Sequence, residues 1–204
     1  MLIIPAFDIP SLEQSIKIAE EIKPFFSTFY LSSPLIVSNG AAAIKQFKTN
    51  FPSTTIIVSS NIVDYERTNS TILFEAGADW VTVMAGAQKH VIHSLCKAAQ
   101  QLNKKVLINL TDAVSIGQVS LEAKSLGADG LIIKQPESDD AQYTFFDQWD
   151  MARGNTTLPI YIFGNVTPAH IQQFLTLKPT GYIIKKRFTQ AASPKQEAAL
   201  YAQF

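Results

Sequence analysis

The sequence predicts an α/β protein, a minimal (β/α)8 barrel of the TIM type that forms a single domain over residues 1–204. Two observations lead to this fold class. Short apolar runs rich in β-branched residues recur eight times at near-constant spacing, each followed by a segment with helical periodicity. The runs are continuous rather than alternating, as is typical of parallel strands that are buried on both faces. Eight βα units close a barrel, whereas six or seven favour an open sheet.

The elements follow from these runs and from the capping residues between them. The predicted strands cover residues 2–8, 26–31, 55–59, 80–84, 106–110, 130–134, 160–163 and 182–185. The predicted helices begin near Ser11, Ser38, Glu66, Gln88, Ser115, Ala141, Thr167 and Pro194. Ser11 stands three residues before Gln14, which is capping-box spacing, and Thr167 precedes a proline suited to the first helical position.

An internal repeat supports the same organisation. The tripeptide Gly-Ala-Asp occurs at residues 77–79 and again at residues 127–129, each time just before a predicted strand. Gly77 and Gly127 therefore stand where a helix ends with a left-handed residue before the chain turns into the next strand.

The least regular stretch is 135–158, which contains Phe145, Phe146 and Trp149. We expect a helix that packs these rings against the barrel, and an aromatic lid over a ligand is the alternative. His90, His93 and Cys96 share one predicted helix, but at 100° per residue the outer two lie about 120° apart and cannot converge on one metal ion. His170 is expected on the solvent side of its helix.

Composition excludes several classes of function. The 17 basic and 17 acidic side chains cancel, so no basic excess favours binding to nucleic acid or to an anionic membrane. A hydrophobic content of 47% excludes a disordered chain. Cys96 is the single cysteine, and no apolar stretch approaches the roughly 20 residues of a membrane span. We expect a soluble cytoplasmic protein.

The predicted fold itself indicates where a ligand binds. Working residues of such barrels lie at the carboxyl ends of the strands, and phosphate groups bind after the seventh and eighth strands. Lys185, Lys186 and Arg187 follow the eighth predicted strand, and Gly164 and Asn165 follow the seventh. These five residues are the predicted phosphate site, with a solvated cationic strand end as the alternative.

Four segments carry a resemblance to a known family: Pro-Ala-Phe-Asp at residues 5–8, Ser-Pro-Leu-Ile at 33–36, and residues 74–83 and 105–110. They are similar to the 3-hexulose-6-phosphate synthase and 3-keto-L-gulonate-6-phosphate decarboxylase group of the orotidine 5′-monophosphate decarboxylase suprafamily. The resemblance spans essentially the whole chain. It implies a ribulose-phosphate-binding type of barrel, a small phosphorylated sugar as ligand and a homodimer.

The chain departs from the pattern of that family where its chemistry resides. The family signature Asp-x-Lys-x-x-Asp reads Ser-Ser-Asn-Ile-Val-Asp at residues 59–64, so only Asp64 is retained. The glutamate expected at the end of the second strand is Tyr30. In the phosphosugar enzymes that glutamate and the first aspartate hold Mg²⁺. With Tyr30 and Ser59 in their places, we expect no metal and no cofactor.

Other positions also depart from the residues of the family. Asn109 replaces an acidic residue, and Lys134 replaces a histidine that donates a proton in the decarboxylases. Lys186 matches the arginine that grips the phosphate, although it lacks the bidentate fork of that side chain. Lys185 replaces a glycine that gives the phosphate room.

The candidate catalytic residues are Asp8, Asn61, Asp64 and Lys134. The resemblance implies that Asp8 contacts substrate hydroxyls or the catalytic lysine of the family, and that Asp64 enters the site of the neighbouring subunit. Each aspartate could instead cap the helix that follows it.

Lys134 also fits a second hypothesis. A lysine against an apolar wall of Ile132, Ile133 and Pro136 could form a Schiff base with a ketose, and an ordinary surface lysine is the alternative.

Two classes of function remain open. The chain is either a carbon–carbon lyase, an aldolase or decarboxylase acting on a ketose phosphate, or a non-catalytic barrel that keeps the ligand pocket as a sensor or interaction module.

Overall fold

The computed structural model describes residues 1–136 and 142–204, and in it eight parallel strands close into a barrel in sequence order. Each strand pairs with its neighbours along the chain, and the first pairs with the last. The strands are β1 (Leu2–Phe7), β2 (Thr28–Leu31), β3 (Thr55–Ile62), β4 (Trp80–Met84), β5 (Lys105–Asn109), β6 (Gly130–Lys134), β7 (Ile160–Gly164) and β8 (Gly181–Ile184). The predicted eight-stranded barrel is confirmed.

Helices cover the outside of this barrel. They are α1 (Leu12–Ile22), α2 (Ser33–Asn39), α3 (Ala41–Asn50), α4 (Glu66–Glu75), α5 (Lys89–Gln101), α6 (Ile116–Ala123), α7 (Gln142–Arg153), α8 (Pro168–Phe174) and α9 (Pro194–Tyr201). Short 3₁₀ turns follow β5 and α8. Within the described residues, no helix is long and apolar enough to cross a membrane.

The core has two layers because strand side chains alternate between the two faces of the sheet. In β6, Ile132 belongs to the cluster inside the barrel, whereas Leu131 and Ile133 pack outward against the helices. The inner cluster consists of Ile4, Ala6, Tyr30, Ile57, Leu107, Ile132, Tyr161 and Ile183. The barrel is therefore a packed core with no through-pore, and side chains reach a ligand only at its ends.

Predicted caps and turns are largely confirmed. The Ser11 hydroxyl accepts a hydrogen bond from Gln14 N–H at 3.3 Å and begins α1. Gly77 and Gly127 have φ of 106° and 91°, a conformation that favours glycine. Thr167 and His170 form a capping box, in which each side chain accepts a hydrogen bond from the backbone N–H of the other at 3.2 Å. The solvent-side placement of His170 was wrong, because this box and a stack on Phe174 leave it half-buried.

Apart from shifts of one or two residues at the ends of several strands, two elements differ from the prediction. The helix expected from Ser38 is two helices, α2 and α3, separated by Gly40, whose φ is 57°. Strand β3 continues to Ile62 instead of ending at Ser59, with a register shift against β4 after Val58. The polar sequence of this extension is typical of a loop. It remains a strand because Ser60 and Asn61 form hydrogen bonds with Thr82 on β4.

The aromatic cluster packs against the barrel as expected. Phe145 and Trp149 on α7 are buried, and the Phe145 ring lies 5.1 Å from that of Phe174 on α8. Phe145, Phe146 and Trp149, which are all described, pack against the core and form no lid. The predicted start of this helix, Ala141, lies outside the described residues. The described part of the helix begins at Gln142.

Candidate functional site

The carboxyl ends of the strands present a ring of polar side chains above the packed interior. Each lies two residues beyond a member of the inner cluster and so continues the inward face of its strand. The ring comprises Asp8, Ser59, Asn109, Lys134 and Lys185.

Asn61 is the centre of a hydrogen-bond network between β3, β4 and β5. Its side-chain Oδ1 accepts hydrogen bonds from Thr82 Oγ1 at 2.9 Å and from Asn109 Nδ2 at 3.2 Å. Its backbone N–H donates to Thr82 Oγ1 at 2.8 Å, and its φ is 44°. Ser60 completes the extension of β3, because its hydroxyl accepts from Thr82 N–H and donates to Thr82 O. These bonds explain why the chain remains a strand here.

Ser59 joins this network to a group of hydroxyls on β2 and α2. Its Oγ lies 3.4 Å from Asn61 Nδ2, which donates to it, and 3.1 Å from Ser33 Oγ. Tyr30 is fully buried beside Ser59, and burial raises the pKa of its phenol to about 12, partly offset by the hydrogen bond with Ser59. The phenol is therefore neutral at physiological pH. Where the family pattern has two acids and a lysine, this chain has Tyr30, Ser59 and Asn61, all uncharged.

The two candidate aspartates occupy different surroundings. Asp8 accepts a hydrogen bond from Thr189 Oγ1 at 2.6 Å, which connects the end of β1 to the segment after β8. It does not cap α1, since Ser11 does so. Asp64 is exposed and accepts from the N–H of Tyr65 at 2.7 Å. Tyr65 is itself the N-cap of α4 and makes no side-chain cap, so the capping alternative for Asp64 is also not observed.

Lys134 ends β6 on the inward face, beside Phe163 in the register of β7. Its side chain is exposed, and among the described residues Ile133 packs outward against the helices. This placement favours the ordinary surface lysine, and the Schiff-base hypothesis stays a prediction.

The predicted phosphate residues meet at the ends of β7 and β8. A cavity of about 230 Å³ opens there. Lys186 is exposed and has a φ of 68°, whereas the Lys185 ammonium is 5.9 Å from the centre of the Phe163 ring. Arg187 forms an ion pair with Glu197 at 2.6 Å, so part of its charge is already balanced. The cavity is lined by Asn165, Lys186, Arg187, Gln190, Ala191 and Glu197.

Gly164 has a packing role that sequence reasoning missed. A Cβ atom at this position would lie 2.8 Å from Gln135 Cβ, so the glycine makes room for that side chain. Gln135 is buried, and its Nε2 lies 3.1 Å from His170 Nδ1. Thr82, Thr189 and Glu197 were likewise missed, because each matters through a side-chain partner outside its own helix, strand or loop.

Comparison with known proteins identifies the family. A family model described as "Orotidine 5'-phosphate decarboxylase / HUMPS family" matches residues 1–199. The chain belongs to this family. The match covers all eight strands and therefore agrees with the observed barrel.

Individual family members are distant in sequence. The 3-hexulose-6-phosphate synthase of Methylomonas aminofaciens is 25% identical over 196 residues, which cover 95% of this chain and 94% of that protein. The synthase of Mycobacterium gastri is 30% identical over 123 residues, and this match spans 60% of the chain and only 59% of the relative's length.

Solved structures of the family share the fold. A 3-hexulose-6-phosphate synthase from Salmonella typhimurium superposes with a TM-score of 0.90 at 24% identity, over 100% of this chain and 97% of that one. A crystal structure of KGPDC from Streptococcus mutans in complex with D-R5P has a TM-score of 0.89 at 16% identity, over 98% of this chain and 95% of that one.

The resemblance implied a Mg²⁺ site in this family, so the donors present here can be compared with what that ion prefers. Mg²⁺ is bound in proteins through carboxylate oxygens. The side chains around Ser59 offer hydroxyls and amides, and Tyr30 keeps its proton. Across residues 1–136 and 142–204, no group of three or more His, Cys, Asp or Glu side chains is placed to hold a metal ion. These donors do not fit Mg²⁺.

Proposed function

We propose that this barrel binds a small phosphorylated ketose at the carboxyl ends of its strands and acts as a lyase on one of the carbon–carbon bonds of that ketose. The observation that carries the proposal is the cavity after β7 and β8, where Asn165 and Lys186 face open space beside Lys185. The names of several relatives, 3-hexulose-6-phosphate synthases and a 3-keto-L-gulonate-6-phosphate decarboxylase, support the substrate class. The D-R5P bound to the related Streptococcus mutans protein supports it as well.

The proposal gives each group at the mouth a role. Cleavage next to a ketone leaves an electron pair that spreads onto the ketone oxygen, and a proton must then reach the carbon. Lys134, exposed at the end of β6, is a candidate donor of that proton. Asp8 is bonded to Thr189, which precedes the cavity residue Gln190, and its carboxylate is suited to accept hydrogen bonds from sugar hydroxyls.

The phosphate site is tested with a pair of lysines at opposite ends of β8. Lys186 and Lys178 are both exposed and both have positive φ, but Lys178 precedes the strand and Lys186 follows it. We expect Lys186→Ala to weaken binding of a ketose phosphate by about tenfold, because a charge-assisted contact to phosphate is lost. Lys178→Ala is the matched control and should leave affinity unchanged. Isothermal titration calorimetry measures both.

An NMR assay with the same ketose phosphate separates the two functional classes. Release of product from a ketose phosphate, followed by NMR, indicates a lyase. Binding without turnover indicates the sensor or interaction module. Equal affinities of the wild type and Lys186→Ala would contradict the phosphate site in either case.

The homodimer is also part of this proposal. Several apolar side chains are exposed on the loops and short helix that follow strands, on the same side of the barrel as the candidate site. They are Val37, Val63, Tyr65 and Val114. A second copy of the chain would cover them and would bring Asp64 towards its partner's mouth. We place this dimer in the cytoplasm, since the single cysteine cannot form an intrachain disulfide.

A further inference from the structure

The hydrogen bonds around Asn61 have a fixed direction. Thr111 donates its backbone N–H to Asn109 Oδ1 at 3.1 Å, and its hydroxyl is 2.7 Å from the same oxygen. A backbone N–H can only donate, so the oxygen of the Asn109 amide faces Thr111 and its Nδ2 faces Asn61. Asn61 must then turn its own oxygen to Asn109. Its Nδ2 is left as the donor on the side of Ser59.

The backbone at Asn61 supports a functional role for this arrangement. The register of β3 shifts between Val58 and Ile62, and Asn61 has a φ of 44°, a conformation that asparagine adopts more readily than most residues with a side chain. Such bulges re-aim side chains and are frequent next to active sites. The bulge directs the Asn61 amide between β3 and β5, at the mouth of the barrel.

We propose that Asn61 and Ser59 form a metal-free donor site for the ketone oxygen of the substrate, and that Asn109 is the positioning residue that fixes the orientation of Asn61. The inference rests on the proposed function. It assigns to two neutral side chains the polarisation of the ketone that a metal ion would otherwise supply. In the closed barrel β3 lies across the mouth from β7, next to the phosphate cavity, so a ligand that uses both sites would span the mouth.

The chemistry of the donors suits this role. An N–H or O–H group aimed at a ketone oxygen forms a hydrogen bond with it. That hydrogen bond becomes stronger as negative charge develops on the oxygen during the reaction. Ser59 receives a hydrogen bond from Asn61, so its own proton is available to Tyr30, to Ser33 or to the ligand. In the bound ground state the ketone oxygen only accepts hydrogen bonds, whereas an alcohol in its place must also direct its own proton away from the two donors.

The test compares two ligands that differ only at the ketone. D-Ribulose 5-phosphate is an open-chain ketone, because its terminal oxygen is esterified and cannot close a ring, and D-ribitol 5-phosphate carries an alcohol at the same carbon. Each is titrated calorimetrically into the full-length wild-type chain, once with EDTA and once with Mg²⁺. We expect the ketone to bind about tenfold more tightly than the alcohol, with no dependence on Mg²⁺.

Three variants test the positioning role. Asp at position 61 or 109 keeps the size of the side chain but loses the amide donor, so Asn61→Asp and Asn109→Asp should abolish the preference for the ketone. Asn103 lies on an exposed turn at the opposite end of the barrel. Asn103→Asp introduces the same charge there and should leave the preference for the ketone unchanged. The ratio of the two affinities is the readout, because a general loss of folding lowers both affinities together.

The outcomes separate this inference from the proposed function. Equal affinity for the two ligands, or tighter binding with Mg²⁺, would overturn the inference while the phosphosugar site stands. A ketone preference that survives Asn109→Asp would overturn the positioning role. Binding of neither ligand would overturn the proposed function together with the inference.

Discussion

At the scale of single residues, the site differs from the family pattern because neutral side chains stand where that pattern has two acids and a lysine. Tyr30, Ser59 and Asn61 were identified from the sequence as departures from a charged pattern. Their mutual bonds were not predictable, because Thr82 and Asn109 come from later strands. A single sequence shows which groups are present but not which of them meet.

Cys96 provides a test at this scale. It is buried on α5, and burial, together with the negative charge of Asp129, raises the pKa of its thiol to about 12. The reactive thiolate is therefore scarce at mildly alkaline pH. We expect no reaction with Ellman's reagent in the native protein and complete reaction in guanidinium chloride. Stoichiometric labelling of the native protein on the same timescale would contradict the buried placement.

At the scale of elements, the Gly-Ala-Asp repeat has the same structural role twice. In each copy the glycine has positive φ, and the aspartate accepts a hydrogen bond from a backbone N–H at the start of the preceding strand. Asp79 accepts from Ile56 N–H and Asp129 from Val106 N–H, both at 2.9 Å. Both lie at the amino ends of the strands, away from the ligand mouth. The repeat therefore stabilises the barrel rather than serving the site.

The two aspartates differ in their charge partners. Asp79 also binds Lys48 at 2.7 Å and Lys104 at 3.0 Å, whereas in the described part of the chain no lysine or arginine lies within ion-pair distance of Asp129. Burial alone would raise the pKa of Asp79, but the bonds from Lys48, Ile56 N–H and Lys104 outweigh it and hold that pKa below its ordinary value of 3.8.

Asp79→Asn should therefore destabilise the barrel more than Asp129→Asn. We expect Asp79→Asn to lower the free energy of unfolding by about 1–2 kcal/mol at neutral pH, because two partly buried ammonium groups lose their counter-charge. Asp129→Asn keeps an acceptor for Val106 N–H and should cost less than about 1 kcal/mol. Urea denaturation measures both, and equal losses would show that the lysines contribute nothing.

The same pair of proteins predicts a pH dependence. A carboxyl group whose pKa is lowered by folding stabilises the native state above its unfolded pKa, and this contribution is lost as pH falls through the folded value. The stability difference between wild type and Asp79→Asn should be constant above about pH 5 and should decrease below pH 3.8. A difference that persists in acid would contradict the charge-based explanation.

At the scale of the whole molecule, the proposed dimer is the property to test. Val63, near Asp64, and Leu200 on α9 are exposed to similar extents, 55% and 51%, but only Val63 lies on the face that carries the site. We expect the wild type to sediment as a dimer. Val63→Glu should dissociate it by burying a charge in the interface, and Leu200→Glu should not. Sedimentation velocity distinguishes these outcomes, and a monomeric wild type would contradict the proposal.

The sequence by itself determined the barrel, the order of its strands and most of its helix starts. These features follow from short-range patterns, namely apolar runs, caps and glycines that end helices, which are encoded within a few neighbouring residues. It also determined which end of the barrel carries the polar ring, since strand direction is fixed once the strands are parallel.

Only the tertiary structure decided how the members of that ring bond to one another. The pairing of Arg187 with Glu197, the bond between Asp8 and Thr189, and the bulge that turns Asn61 towards Thr82 and Asn109 all join segments that are apart in the chain. Side-chain contacts of this kind depend on distances of a few tenths of an ångström. Such distances are set when the barrel closes, and no local pattern in the sequence records them.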